Sequence, residues 1–106
     1  MRIAVTAQGN DVTAPVDLRF GRCQYFIIYD TDTHEFEVRS NDSAAKSGAG
    51  IQSAQFMIDQ NVRVVITGEV GPHALQVLQA AGIAIHTTTA GTAREAVEQF
   101  LKGDYT

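Results

Sequence analysis

A chain of 106 residues, 44% hydrophobic and 19% charged, has the size and apolar content of one domain with a real core, so a single domain over residues 1–106 is expected. A net charge of -4, with only eight Lys and Arg, argues against a general nucleic-acid surface, which needs several cations facing phosphates. One cysteine, Cys23, excludes an internal disulfide and a multi-cysteine cage for zinc or an iron–sulfur cluster. MRIAVTAQ lacks the pattern of a signal peptide and no apolar run reaches membrane-spanning length, so the expected location is the cytoplasm, with no membrane partner.

Arg2 to Ala7, carrying Ile3 and Val5, reads as a first strand, and Gln8-Gly9-Asn10-Asp11 with Pro15 as the loop after it. A second strand is predicted at 24–30 on Tyr25-Phe26-Ile27-Ile28-Tyr29. Thr31 to His34 is the turn to a half-exposed partner at 35–40, where Phe36 and Val38 alternate with Glu35, Glu37 and Arg39. This hairpin belongs at or near a sheet edge, with His34 in solvent. Asn41 to Gly50 has no apolar period and is the most flexible-looking stretch. Ile51, Ala54, Met57 and Ile58 then recur at helical spacing over 51–60.

Val64-Val65-Ile66 is a β-branched run of the kind covered on both faces, and a strand is predicted over 63–67. Gly71-Pro72 opens a helix over 72–81 that buries Leu75 and Leu78 or their neighbours, stops at Gly82 and leads into a strand at Ile83-Ala84-Ile85. Thr92-Ala93-Arg94-Glu95 has capping-box spacing. A third helix follows, with Ala93, Ala96, Val97, Phe100 and Leu101 as its core stripe, Gly103 as terminator and a fraying tail Asp104-Tyr105-Thr106. The sum is an α/β fold: a mixed five-stranded sheet with an antiparallel hairpin and three main helices packed on it.

The strand-turn-helix order at residues 63–73 builds a mouth in which free helical N–H groups can hold an anion without a catalytic residue. Arg22 offers forked donors to oxyanions or sulfido groups, and Cys23 beside it is either a thiolate favoured by that charge or a small packed hydrophobe; Arg22 in turn either grips an anion or pairs with Asp17 or Asp30. Lys46 and Ser47 stand in the small-residue loop that runs through Gly48 and Gly50 into the first helix, as ligand contacts or as a solvated connector. The loop lacks Walker spacing. His73 follows Gly71-Pro72 at a helix start, and His86 ends a strand near Thr87-Thr88-Thr89; neither makes a metal site by itself. The acids form no evident two-metal cluster and there is no GxSxG elbow, so the reading is not an enzyme, and no catalytic residue is assigned.

Phe20-Gly21-Arg22 leading into Tyr25 to Asp30, Gly48-Ala49-Gly50-Ile51, Val65 to Gly68 with Gly71-Pro72, Ala81-Gly82-Ile83, and Gly91-Thr92 with Glu95-Ala96-Val97 occur in an order that resembles the dinitrogenase iron–molybdenum cofactor biosynthesis domain family, whose members include NifX-like, NifB C-terminal-like and orange-protein-like chains. The resemblance spans nearly the whole chain. It implies a ribonuclease H-like fold and the handling of a metal–sulfur cluster, either the iron–molybdenum cofactor or a precursor, or a molybdenum–copper sulfide cluster held without covalent cysteine ligation.

On that resemblance the expected function is a small carrier whose anionic cargo sits non-covalently at loops on one rim of the sheet, with Arg22, Cys23, Lys46, Ser47, Gly48, Gly50, Gly71 and His73 as cofactor-binding residues. Cluster donor and recipient proteins are its expected partners. The family often carries histidine just before the Gly48-Ala49-Gly50 segment, where this chain reads Ala45-Lys46-Ser47, so charge attraction through Lys46 replaces metal ligation there. The alternative is a protein-interaction or regulatory module of the same fold with no bound cluster.

Overall fold

β1 (Arg2–Ala7) is buried over five of its six residues because it lies in the middle of the sheet. The computed structural model, which describes residues 1–88 and 91–103, continues with β2 (Tyr25–Asp30), β3 (Glu35–Ser40), α1 (Ala49–Asp59), β4 (Val62–Thr67), α2 (Pro72–Ala80), β5 (Ala84–Thr87) and α3 (Ala93–Lys102). The strand order is β3-β2-β1-β4-β5. β2 runs antiparallel to β1 and β3 antiparallel to β2, while β4 is parallel to β1 and β5 to β4. The predicted five-stranded α/β architecture is present, with the hairpin strand β3 at one edge and β5 at the other.

Alternation along β1 divides the core into two layers. Ala4 packs with Phe20, Phe26, Ile28, Met57 and Leu78 under α1 and α2, whereas Ile3 and Val5 pack with Ile27, Ala93 and Val97 under α3. In β4 the alternation slips. Arg2 pairs with Val62 but Ile3 with Val64, so Arg63 is an extra, exposed residue, and a bulge puts Val62 and Val65 in one layer with Val64 and Ile66 in the other.

Two expected core positions lie at the surface. Ile51 is 45% exposed, because α1 starts at Ala49 and buries Ala49, Ser53, Ala54 and Met57; at about 100° per residue Ile51 points well over 90° away from the middle of that stripe. Leu101 is 50% exposed, since Ala93, Ala96 and Val97 carry the buried face of α3 with half-buried Phe100 beside them, and Leu101 is rotated about 80° from Ala93. Ala74 and Leu78 are the buried residues of α2, with Leu75 half-buried. His34 is exposed in the hairpin turn with a φ of 62°, and Tyr29 meets its Nδ1 at 3.1 Å. Thr89 and the tail Asp104-Tyr105-Thr106 lie outside the described residues. Among those described, no helix is long and apolar enough to cross a membrane.

Candidate functional site

The carboxyl ends of β1, β3 and β4, the start of β2 and the starts of α1 and α2 meet at one rim. Backbone pairing fixes the loop that crosses it. The Phe20 N–H donates to Glu69 O at 2.9 Å and the Glu69 N–H to Leu18 O at 2.7 Å, so residues 18–20 run beside the turn that follows β4. Gly68 permits the approach, because a Cβ there would stand 2.5 Å from Leu18 O. Gly21, at φ +93°, then crosses the first turn of α1 so closely that a Cβ on it would fall 2.8 Å from the Gly50 Cα.

The crossing leaves a cleft of about 270 Å³ walled by the first turns of α1 and α2, by Phe20 and by Arg22. That is room for several waters or one compact polyatomic guest. Its walls carry backbone donors that no helical carbonyl can accept from. Gln52 and Leu75 donate to Gly48 O and Gly71 O, which leaves the N–H groups of Ala49, Gly50, Ile51, His73 and Ala74 without an acceptor among the described residues; Pro72 has no N–H to satisfy. Neither helix has a side-chain cap or an acidic residue in its first turn.

The contrast is α3. There Ala93 and Arg94 donate to Ala14 O and Val12 O, and the predicted capping box closes, with the Glu95 N–H donating to Thr92 Oγ1 at 3.2 Å and the Thr92 N–H to Glu95 Oε1 at 2.9 Å. One helix start is sealed by the chain itself. The other two open onto a shared cleft with their positive dipole ends and free amides.

Of the residues singled out from sequence, the cleft brings together Arg22, Gly48, Gly50, Gly71 and His73. The Arg22 Nη1 donates to Ala44 O at 2.9 Å and Lys46 O at 3.0 Å, which uses its two hydrogens and leaves Nε and Nη2 without an acceptor among the described residues. Asn41, which the sequence reading passed over, makes a second staple from the same loop, its amide donating to Gly21 O at 3.0 Å and Cys23 O at 2.9 Å. Lys46 and Ser47 are exposed on the loop that leads to Gly48 and form no part of the cleft wall. The signal of Asn41, an asparagine directly after a strand, is common to many loops.

Cys23 lies beneath the rim, fully buried among Phe20, Phe26 and Ala54, and its packing reading is the one realised. Burial, reinforced by the nearby Asp17 carboxylate, pushes its thiol up to about 12, so at neutral pH it is a protonated thiol and not a thiolate. The carboxylate pairing considered for Arg22 belongs to Arg19, whose Nε and Nη2 each donate to Asp17 at 3.1 Å. His86 lies within β5, half-buried, with its ring 5.0 Å from that of Phe100 and away from the cleft wall.

Two other hollows suit an anion less well. One of about 330 Å³ between the end of β3 and α1 is lined by Asp42 and Asp59 with no basic side chain, and another beside Gln8 and Gln24 has its one cation, Arg19, committed to Asp17.

Comparison with known proteins bears on the fold and the family. The chain superposes on the apo form of the orange protein from Desulfovibrio gigas with a TM-score of 0.89 at 43% identity, covering 96% of this chain and 88% of that one. It superposes on a NifB-like protein from Thermotoga with a TM-score of 0.86 at 36% identity, again over 96% and 88%. An uncharacterised protein of Methanocaldococcus jannaschii is 25% identical over 97% of this chain and 87% of its own length. The model of the dinitrogenase iron-molybdenum cofactor family matches residues 1–103, and the chain belongs to that family.

Proposed function

We propose that this protein is a carrier for an anionic metal–sulfur cluster, held non-covalently in the cleft between α1 and α2. The observation that carries the reading is the convergence of five amides that lack acceptors, from two helix starts, with the Arg22 guanidinium in a wall that contains no carboxylate among the described residues. Such an arrangement binds negative charge spread over several acceptor atoms, as on the sulfido face of a cluster, and discharges it without breaking a covalent bond.

Family membership and the likeness to the orange protein support a cofactor-binding or carrier role. The cargo is the iron–molybdenum cofactor or a precursor, or a molybdenum–copper sulfide cluster. Arg22, Gly48, Gly50, Gly71 and His73 are its contacts, Lys46 and Ser47 flank its entry, and Cys23 supports the floor from below. The strand order, an antiparallel β1-β2-β3 meander followed by parallel β4 and β5, supports a ribonuclease H-like assignment for one domain spanning residues 1–106. We place it in the cytoplasm, between a cluster donor and a recipient protein, as a binding protein with no catalytic residue.

Anaerobic purification with metal analysis tests this, followed by incubation with tetrathiomolybdate, with and without cuprous ion, and gel filtration. The expected result is visible absorbance and stoichiometric molybdenum eluting with the protein. Colourless, metal-free protein after both treatments overturns the reading.

A further inference from the structure

β3 closes one side of the sheet with a row of outward backbone groups. The Asn41 N–H donates to Gln24 O at 2.8 Å, directly across the β2–β3 ladder, and hydrogen-bonded pairs recur at every second residue, so Glu37 and Arg39 turn their backbone groups toward Ile28 and Phe26. The N–H and C=O groups of Phe36, Val38 and Ser40 therefore point out of the sheet, and none has a backbone partner among the described residues. The edge is open, with Val38 38% exposed. The Asn41 amide and the Arg22 guanidinium draw the loop that follows β3 toward Gly21, Cys23 and the cleft.

Open edges invite pairing, and charged side chains ordinarily blunt them. Here the charges on one face have both signs. Glu37 and Arg39 lie on the α1 side, where Arg39 stands over the Phe56 ring, and their side chains stay 44% and 37% exposed. Val38, paired with Ile27, alternates to the α3 side with Phe36. When two such edges run antiparallel, outward residues must oppose outward residues, so the allowed registers differ by steps of two residues. With Val38 opposite Val38, Glu37 of each copy meets Arg39 of the other in the closely spaced, non-hydrogen-bonded positions, and Phe36 meets Ser40. A shift of two residues either way sets Glu37 against Glu37, or Arg39 against Arg39, at the two-fold axis. Charge selects one register, and that register is complementary to itself.

We propose that β3 pairs antiparallel with β3 of a second copy of this chain about a two-fold axis at Val38, joining two sheets through about six backbone hydrogen bonds and reciprocal Glu37–Arg39 contacts. A second copy is the occupant because the order Glu37-Val38-Arg39 is met by its own reverse. One short strand from each copy buries less than a stable dimer needs, so the dimer is weak and forms with concentration. β3 runs toward the rim, which points the two clefts to opposite ends of the joined sheet, and no β3 residue lines the cleft. Pairing and cargo binding are therefore separate properties.

The test is sedimentation of the full chain from about 10 μM to about 1 mM, together with amide hydrogen exchange at both ends of that range. Wild type should pass from monomer to dimer, and exchange should slow with concentration at Phe36, Val38 and Ser40 but not at Glu37 or Arg39. Glu37→Arg and Arg39→Glu should each weaken association about tenfold or more, because the facing charges become alike. An equimolar mixture of the two should recover it as a heterodimer, since one variant then offers two cations to the other's two anions; recovery also shows that both are folded. Val38→Pro, which removes an outward N–H and leaves the β2–β3 ladder its bonds, should abolish pairing. Wild type that stays monomeric throughout, leaving the edge to solvent or to a strand of another protein, overturns the proposal. So does a dimer indifferent to Val38→Pro or to both charge changes, or a mixture of folded charge variants that stays monomeric.

Discussion

Arg22 holds Lys46 by its backbone: one guanidinium nitrogen donates to the Lys46 carbonyl at 3.0 Å and to the Ala44 carbonyl at 2.9 Å, so the cleft's arginine is also the clasp of the loop beside it. Two cations expected to act in parallel on a ligand are thus mechanically linked. Removing Arg22 should therefore change the loop and the cleft together. Because the two bonds are solvent-exposed, each is worth only about 1 kcal/mol, and Arg22→Ala should lower the melting temperature by a few degrees at most. Hydrogen exchange at the Ala44 and Lys46 amides, which close turns onto Asn41 O and Ser43 O, should accelerate, and cluster retention after gel filtration should fall about tenfold or more. Unchanged retention with accelerated exchange would reduce Arg22 to a clasp.

If the protein carries a cluster as proposed, Lys46 can act on it through charge alone, since its side chain is exposed and outside the cleft wall. Lys46→Glu should then weaken cluster retention more than Lys46→Gln, and the gap between the two should narrow as salt is raised, because an exposed charge is screened within about 10 Å at 0.1 M ionic strength. Measurement of retained absorbance across a salt series checks both. Equal affinity in wild type and the two variants would remove the loop cation from the site.

The α3 cap should separate stability from binding. Thr92→Ala removes the side-chain half of the capping box, the Glu95 N–H to Thr92 Oγ1 bond, and leaves the backbone N–H of residue 92 able to donate to Glu95, a loss of about 1 kcal/mol, which in a domain of this size corresponds to about 4–8 °C in melting temperature. The helix start it seals contributes no residue to the cleft wall, so cluster retention measured well below the melting temperature should match wild type.

Element order was legible because it rests on local periodicity. The alternation in Glu35–Ser40, the β-branched run in Val62–Thr67 and the Thr92–Glu95 spacing each specify their own structure, and each formed. What sequence could not supply was set by partners far along the chain. The bulge at Arg63 arises from pairing with Arg2 and Ile3, and the close α1–α2 approach at Gly50 and Ala74 decides that Ser53 is buried and Ile51 is not. In the cleft, the glycine and proline marks of Gly48, Gly50, Gly71 and Pro72 were readable because they punctuate helix starts. The Arg22 and Asn41 staples were not, since their acceptors are carbonyls, which every residue has.

Cys23 offers the sharpest pH signature. Its buried thiol is pushed up to about 12, first by desolvation and then by Asp17, from an ordinary value near 9. The folded-state value is raised, so the stability contributed by keeping this thiol neutral is fully present below about pH 9, where both folded and unfolded chains hold the proton. It is lost progressively as pH rises toward about 12, because the unfolded chain releases the proton first. Tyrosines and lysines also titrate there, so the informative quantity is the difference between wild type and Cys23→Ala. Denaturant unfolding at stepped pH should show wild type losing stability between pH 9 and 11 more steeply than the variant, with parallel curves below pH 8.5. The same burial predicts that the native thiol resists alkylation at pH 8 until denaturant is added, and that Cys23→Ala retains cluster as wild type does. A cluster that dissociates from Cys23→Ala while the protein remains folded would make the thiol a ligand and require the floor of the cleft to open when cargo binds.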